Sequence, residues 1–157
     1  MVSIQLFFDG ATAPTNPGPS GAGWHIKIYK SKTNEFIQEY KEYKFLGPRM
    51  TNNEAEYLAL IHGLESIIDI VKKIKSKTDI KLESVIIFGD SALVINQLSG
   101  SYKVKAINLI KYYNKAKELI SELESRTLSL KIIHILRHKN TIADDMSKLA
   151  LKNSMYT

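Results

Sequence analysis

Apolar runs that end on a carboxylate mark the frame of this chain. Ile4-Gln5-Leu6-Phe7-Phe8 closes on Asp9-Gly10, and Val85-Ile86-Ile87-Phe88 closes on Gly89-Asp90-Ser91. The first run predicts a central strand with Asp9 at its carboxyl end. The second sits in a Leu82 to Phe88 segment without alternation, as in strands covered on both faces. From Ala22 to Tyr29 and from Phe36 to Phe45, apolar and polar residues roughly alternate around the polar stretch Lys30 to Glu35. That pattern predicts an antiparallel hairpin with one buried and one wet face. The turn-rich stretch Ala11 to Gly21 is expected to lie outside any central strand, and Gly47-Pro48 to break the third strand.

Helical spacing takes over at Thr51. Tyr57, Leu60, Ile61, Leu64, Ile67, Ile68, Val71 and Ile74 form one stripe, predicting a helix to about Lys75 that packs on the sheet. Ser91 is placed to cap a short helix, Ala92 to Leu98, which Gly100 can end. A further helix, Ala106 to Ser125, carries Ile107, Ile110, Tyr112 or Tyr113, Ala116, Leu119, Ile120 and Leu123 on its apolar face. Leu128 to Leu136 reads as a last strand, and Asn140 as the cap of a last helix, Thr141 to Lys152. A long helix before the Leu82 strand predicts a parallel, right-handed crossover. The order makes one mixed-sheet α/β domain spanning residues 1–157.

Composition then narrows the chemistry. The chain of 157 residues has no cysteine, which excludes disulfides, thiolate metal sites and cysteine nucleophiles. No apolar run reaches the length of a membrane span and no secretion signal opens the chain, so a soluble, cytoplasmic protein without membrane association is expected. The net charge of +6 favours polyanionic partners, though charge alone does not name one. Five lysines between Lys72 and Lys81 are expected to form a solvated helix end and loop.

Two further acids join the strand-end pair. In Thr51-Asn52-Asn53-Glu54-Ala55-Glu56, Thr51 and Glu54 stand in capping-box register, which gives Glu54 a structural task. Glu56 shares the face of Leu60 and Leu64 and would point one turn into the helix toward the sheet. Uncompensated burial there is costly, and a metal ion would supply the missing charge. Asp144, or else Asp145, lies in the first turn of the last helix, where acids are also favoured by the helix dipole. Four clustered acids stay ionised only beside cations. Hard oxygen ligands suit Mg²⁺, and paired ions roughly 4 Å apart serve phosphodiester hydrolysis without a nucleophilic side chain.

Phe8-Asp9-Gly10, Asn16-Pro17-Gly18-Pro19 with Gly21 and Gly23, Thr51-Asn52-Asn53-Glu54-Ala55-Glu56, Gly89-Asp90-Ser91 and Asn140-Thr141-Ile142-Ala143-Asp144 occur in family order over almost the whole chain. The sequence strongly resembles type 1 ribonuclease H. The resemblance implies the ribonuclease H-like fold, a five-stranded mixed sheet flanked by helices, with the first strand between the hairpin and two parallel strands. It implies an endonuclease that cuts the RNA strand of RNA/DNA hybrids with two Mg²⁺ or Mn²⁺ ions, leaving 5′-phosphate and 3′-hydroxyl ends. It assigns the metal ligands as Asp9, Glu56, Asp90 and Asp144, selecting Asp144 over Asp145. It also implies hybrid contacts by Asn16, Asn52, Asn53 and Asn140, and a DNA-phosphate pocket at Arg49 and Thr51, beside amides of a helix N-terminus. A monomer is expected.

The match departs from the family in places. One extra residue separates Asp9 from Asn16, and Ala92 replaces a substrate-touching glutamine. The short segment between the middle helices lacks a basic handle, for which Tyr102, Lys103 and Lys105 would partly substitute, and no separate hybrid-binding domain is expected ahead of the catalytic one. Substrate affinity is therefore expected to be modest and salt-dependent. For the residue that assists proton transfer or product departure, His134 and Arg137 rank level, with His138 as the nearby alternative.

Overall fold

A computed structural model describes residues 1–77 and 81–154. Strands β1 (Val2–Thr12), β2 (Gly18–Lys30) and β3 (Phe36–Met50) form a meander, and helix α1 (Asn52–Lys77) crosses to β4 (Leu82–Gly89). Helices α2 (Ala92–Leu98) and α3 (Ile107–Glu124) lead to β5 (Thr127–His134), and a 3-10 turn (Arg137–Lys139) leads into α4 (Thr141–Ser154). The sheet order is β3-β2-β1-β4-β5. Pairs β1–β2 and β2–β3 are antiparallel, whereas β1–β4 and β4–β5 are parallel. The strand that opens on Val2 is thus the central one, as its apolar run predicts.

Each face of the sheet receives its own helix. Ile4, Leu6 and Phe8 are fully buried with Tyr57, Leu60, Leu64 and Ile67 of α1. A side-chain carbon on Gly63 would lie 2.7 Å from Leu6, so this glycine sets how closely α1 approaches β1. On the other face α4 lies over β2, where Gly21 and Gly23 meet its backbone directly. Both helices cover β2, and its expected wet face is therefore largely absent: even His25 is only 2% exposed. Among the described residues no helix is long and apolar enough to cross a membrane.

Several boundaries differ from the sequence reading, for physical reasons. Pairing carries β1 to Thr12 and begins β2 at Gly18, leaving only residues 13–17 as loop. The rim is closed by a hydrogen bond of 2.6 Å between the Thr12 and Ser20 hydroxyls and by the Ala13 N–H donating to the Pro19 carbonyl. Gly47-Pro48 does not break β3, because β3 is an edge strand on which a missing N–H is tolerated. Register irregularities around Ser20 and Gly47, with Gly47 at φ +137°, absorb the bend. On α3 the buried phase is Leu109, Ala116, Leu119, Ile120 and Leu123. Ile107 and Ile110 fall off it, 86% and 41% exposed, contrary to the stripe drawn from sequence. The last strand ends at His134 rather than Leu136, and the last helix runs two residues past Lys152. Lys72, Lys73, Lys75 and Lys81 are exposed, as expected of a solvated cluster; residues 78–80 of that stretch lie outside the described residues.

Candidate active site

Four elements deliver carboxylates to one end of the sheet. Phe8 pairs with Gly89 at the end of the β1–β4 ladder, so Asp9 and Asp90 are the next residues along two adjacent parallel chains, Asp90 just past the end of β4. Glu56 comes from the second turn of α1. Thr51 Oγ1 accepts from the Glu54 N–H at 3.1 Å, and Glu54 Oε1 accepts from the Thr51 N–H at 3.0 Å. This reciprocal cap occupies Glu54 and leaves Glu56 to turn inward, where its Oε1 accepts from the Gly10 N–H at 3.0 Å. One oxygen from each of Asp9, Glu56 and Asp90 lies within 4.8 Å of the others. Asp144 lies outside this trio but lines the same cleft of about 400 Å³, together with Asn52, Arg137 and Lys148. Asp145 is exposed.

The electrostatics of the trio favour a cation. Asp9 and Glu56 are 5% and 8% exposed, and Glu56 Oε2 is buried without a donor unless Asp9 carries a proton to share with it. Burial first, then the hydrogen bond and charge of Glu56, and then Asp90, push the Asp9 carboxyl well above the usual carboxylate range. Burial also raises Glu56, although hydrogen bonds from Asp9 and the Gly10 N–H partly offset it. Asp144 goes the other way. Burial would raise it, but hydrogen bonds from Lys148 and from Asp9, and then the charges of Lys148 and Arg137, hold it below its ordinary value. An all-oxygen donor set with an orphaned buried oxygen fits a hard divalent cation held by Asp9, Glu56 and Asp90, with Asp144 beside them.

The remaining sequence candidates divide. Asn16 reaches the start of α1 despite the extra loop residue: its Oδ1 accepts from the Asn52 N–H at 3.0 Å, leaving its amide N–H groups free to donate. Asn52 and Arg49 are exposed, and Asn53 is half-buried. Thr51 is committed to the cap as an acceptor, but its hydroxyl can still donate. Arg137 Nη2 lies 3.7 Å from Asp144 Oδ1 and lines the cleft. His134 ends β5, and its Nε2 donates to the Asp90 carbonyl oxygen at 3.2 Å. His138 is exposed in the 3-10 turn.

Asn140 departs from both roles that the sequence suggests. It is 1% exposed, and its Nδ2 donates to the Phe8 carbonyl at 2.8 Å and to Asp90 Oδ2 at 3.1 Å. Its Oδ1 has no donor, so the side chain does not cap α4, and in this arrangement it faces the protein interior. It instead ties the ends of β1 and β4 to α4. Asn140→Ala is expected to cost about 1–3 kcal/mol, because it strands the Phe8 carbonyl and frees the Asp90 carboxylate. Thermal unfolding together with KM checks this: a substrate contact would raise KM and leave stability unchanged.

Sequence reasoning missed Lys148, whose Nζ lies 2.9 Å from Asp144 Oδ2. The signal was available, since an acid followed four residues later by a lysine is a helical ion-pair register.

The family model described as reverse transcriptase-like matches residues 7–150. Ribonuclease HI of Halobacterium salinarum is 32% identical over 151 residues, covering 96% of this chain and 65% of that protein. The chain thus spans less than two thirds of that relative's length. A crystal structure of RNase H1 from Halobacterium salinarum aligns with TM-score 0.73 and 30% identity over 96% of this chain and 98% of that one. LC11-RNase H1, solved in complex with an RNA/DNA hybrid, aligns with TM-score 0.69 and 31% identity over 99% of each chain. With the sheet order, the matched segment and these relatives in agreement, the chain belongs to the type 1 ribonuclease H family.

Proposed function

We propose that this chain hydrolyses the RNA strand of RNA/DNA hybrids with two divalent cations, Mg²⁺ or Mn²⁺, held by Asp9, Glu56, Asp90 and Asp144, leaving 5′-phosphate and 3′-hydroxyl ends. The observation that carries this reading is the convergence of three carboxylates from three separate elements within 4.8 Å, at a cleft that a fourth also lines. LC11-RNase H1, its near-full-length structural relative, binds such a hybrid.

When bound, the cations supply the Lewis acidity that activates water and steadies the leaving oxygen. The chain's own share is to hold hard oxygen ligands on rigid strand and helix ends and to grip the duplex around them. The free amide N–H groups of Asn16 and the side chains of Asn52 and Asn53 offer donors and acceptors suited to reading 2′-hydroxyls. Arg49, the Thr51 hydroxyl and the start of α1 offer a phosphate seat. Arg137, at the cleft mouth, is placed to meet the charge of the phosphate or of the departing product, whereas His134 serves the backbone of Asp90.

A labelled RNA/DNA hybrid, with single-stranded RNA and both homoduplexes as controls, tests the reading. Cutting confined to the RNA strand of the hybrid, supported by Mg²⁺ or Mn²⁺ and stopped by chelator, is expected. Hybrid binding without cutting under either metal would instead make the chain a binding module. In the same assay Arg137→Ala should slow cleavage by roughly 10²-fold. His134→Ala should stay within about tenfold of the parent, since it removes one backbone hydrogen bond; the reverse order would hand the assisting role to His134.

A further inference from the structure

We propose that Lys148 is a built-in cation that competes with the divalent metal for Asp144, and so sets the metal concentration at which the fourth carboxylate joins the site. The inference rests on the preceding reading of the four carboxylates as metal ligands.

The distribution of partners around those carboxylates carries the argument. Glu56 accepts from the Gly10 N–H and Asp90 from the Asn140 amide, both uncharged donors. Among the described residues the ion pairs of this site all converge on Asp144. Lys148 Nζ stands 2.9 Å from Oδ2, and Arg137 Nη2 stands 3.7 Å from Oδ1. Asp144 is also the carboxylate that stands outside the trio. It is thus the acid already held in ion pairs, while the other three have none among the described residues.

Lys148 is suited to a reversible hold. It lies four residues after Asp144 on α4, a register that carries its side chain back over the first turn of the helix. Its side chain is 59% exposed, so the ammonium can swing into water without crossing a packed layer. A lysine head is a compact, strongly hydrated point charge, and it occupies the kind of carboxylate oxygen that a hard cation would take. A divalent ion reaching Asp144 must therefore displace it. Arg137 is the weaker competitor, farther away and with a side chain 75% exposed.

Mn²⁺ titrations of the full chain by calorimetry, without nucleic acid, test the inference on the parent, Lys148→Gln and Lys148→Arg. Lys148→Gln should lower the Mn²⁺ midpoint by about two- to fivefold, the range expected for removing one exposed charge pair. Lys148→Arg, which keeps the charge, should remain near the parent. The Mn²⁺ concentration for half-maximal hybrid cleavage should move with the binding midpoint. A Lys148→Gln midpoint equal to or above that of the parent overturns the inference. So does an equal shift in both variants, which would mark Lys148 as a helix-stabilising residue only. A parent chain that takes up no Mn²⁺ and cuts no hybrid has a different meaning: the four-carboxylate reading itself falls, and this inference with it.

Discussion

Asp9→Asn is expected to abolish hybrid cleavage while making the metal-free protein more stable. The two effects share one cause. Asp9 is 5% exposed, faces Glu56 and Asp90, and has no cation partner among the described residues, so its ionised form is poorly tolerated without metal. Its carboxyl, and that of Glu56, are shifted upward on folding. Such groups contribute stability below their unfolded-state range, and this is lost as pH rises toward the raised folded values. Metal-free parent protein should therefore lose stability from about pH 4 upward through neutrality, over the interval where unfolded carboxylates have already ionised. The amide keeps the shape and removes the titration. Asp9→Asn should flatten that slope and gain about 1–3 kcal/mol at neutral pH in chelator. Added Mg²⁺ or Mn²⁺ should reverse the ranking, because a ligand that binds only the folded parent stabilises it by mass action. Cleavage should fall by at least about 10³-fold, since a charged ligand at the reacting centre is replaced by a neutral one. Thermal midpoints in chelator and in metal across pH, with single-turnover cleavage, check both halves. A variant less stable than the parent in chelator at neutral pH would remove the electrostatic account of the site.

What the sequence makes legible here depends on how local the cause is. The choice between Glu54 and Glu56 follows from a capping rule confined to four residues, and the reciprocal hydrogen bonds of Thr51 and Glu54 satisfy it. Asp9 and Asp90 follow from apolar runs that stop at a sheet end, and the β1–β4 register sets them side by side. Causes that depend on neighbours distant in the chain are not legible in this way. Whether Pro48 ends a strand depends on whether that strand is an edge, which only the sheet order decides. The exposure of Ile107 depends on which turn of α3 meets α1, and an isoleucine at helical spacing looks the same on either side of that limit. Asn140 reads as a cap or a substrate contact from its neighbours in sequence. Its partners are Phe8, 132 residues away, and Asp90, 50 residues away.

Gly23→Ala is expected to be a severely damaging single methyl, reaching the site without touching it. Gly23 pairs with Asp9 across the β1–β2 ladder, on the face covered by α4. An added side-chain carbon there would stand 2.3 Å from the Ala143 carbonyl oxygen, 2.4 Å from the Ser147 nitrogen and 2.7 Å from Met146 Cβ. The first two are backbone atoms of a helix, which cannot swing aside as a side-chain end can, so α4 must lift from β2 as a body. Overpacking of this kind costs about 3 kcal/mol, or roughly 6–12 °C in thermal midpoint for a chain of this size. The displacement should also act on chemistry, because α4 carries Asp144 and Lys148 and begins at Asn140, whose amide holds Asp90. Cleavage per folded molecule should therefore drop by about 10²-fold, the sensitivity of a reaction to ångström-scale misplacement of its groups, while Asp9, Glu56 and Asp90 all remain in the chain. Circular dichroism to fix the folded fraction, followed by single-turnover cleavage at saturating Mn²⁺, separates the two losses. A folded Gly23→Ala protein that cuts at the parent rate would mean that the distance between α4 and β2 does not govern the fourth carboxylate. Loss of rate beyond loss of fold would show that the small residues of β2 set how near Asp144 comes to the trio.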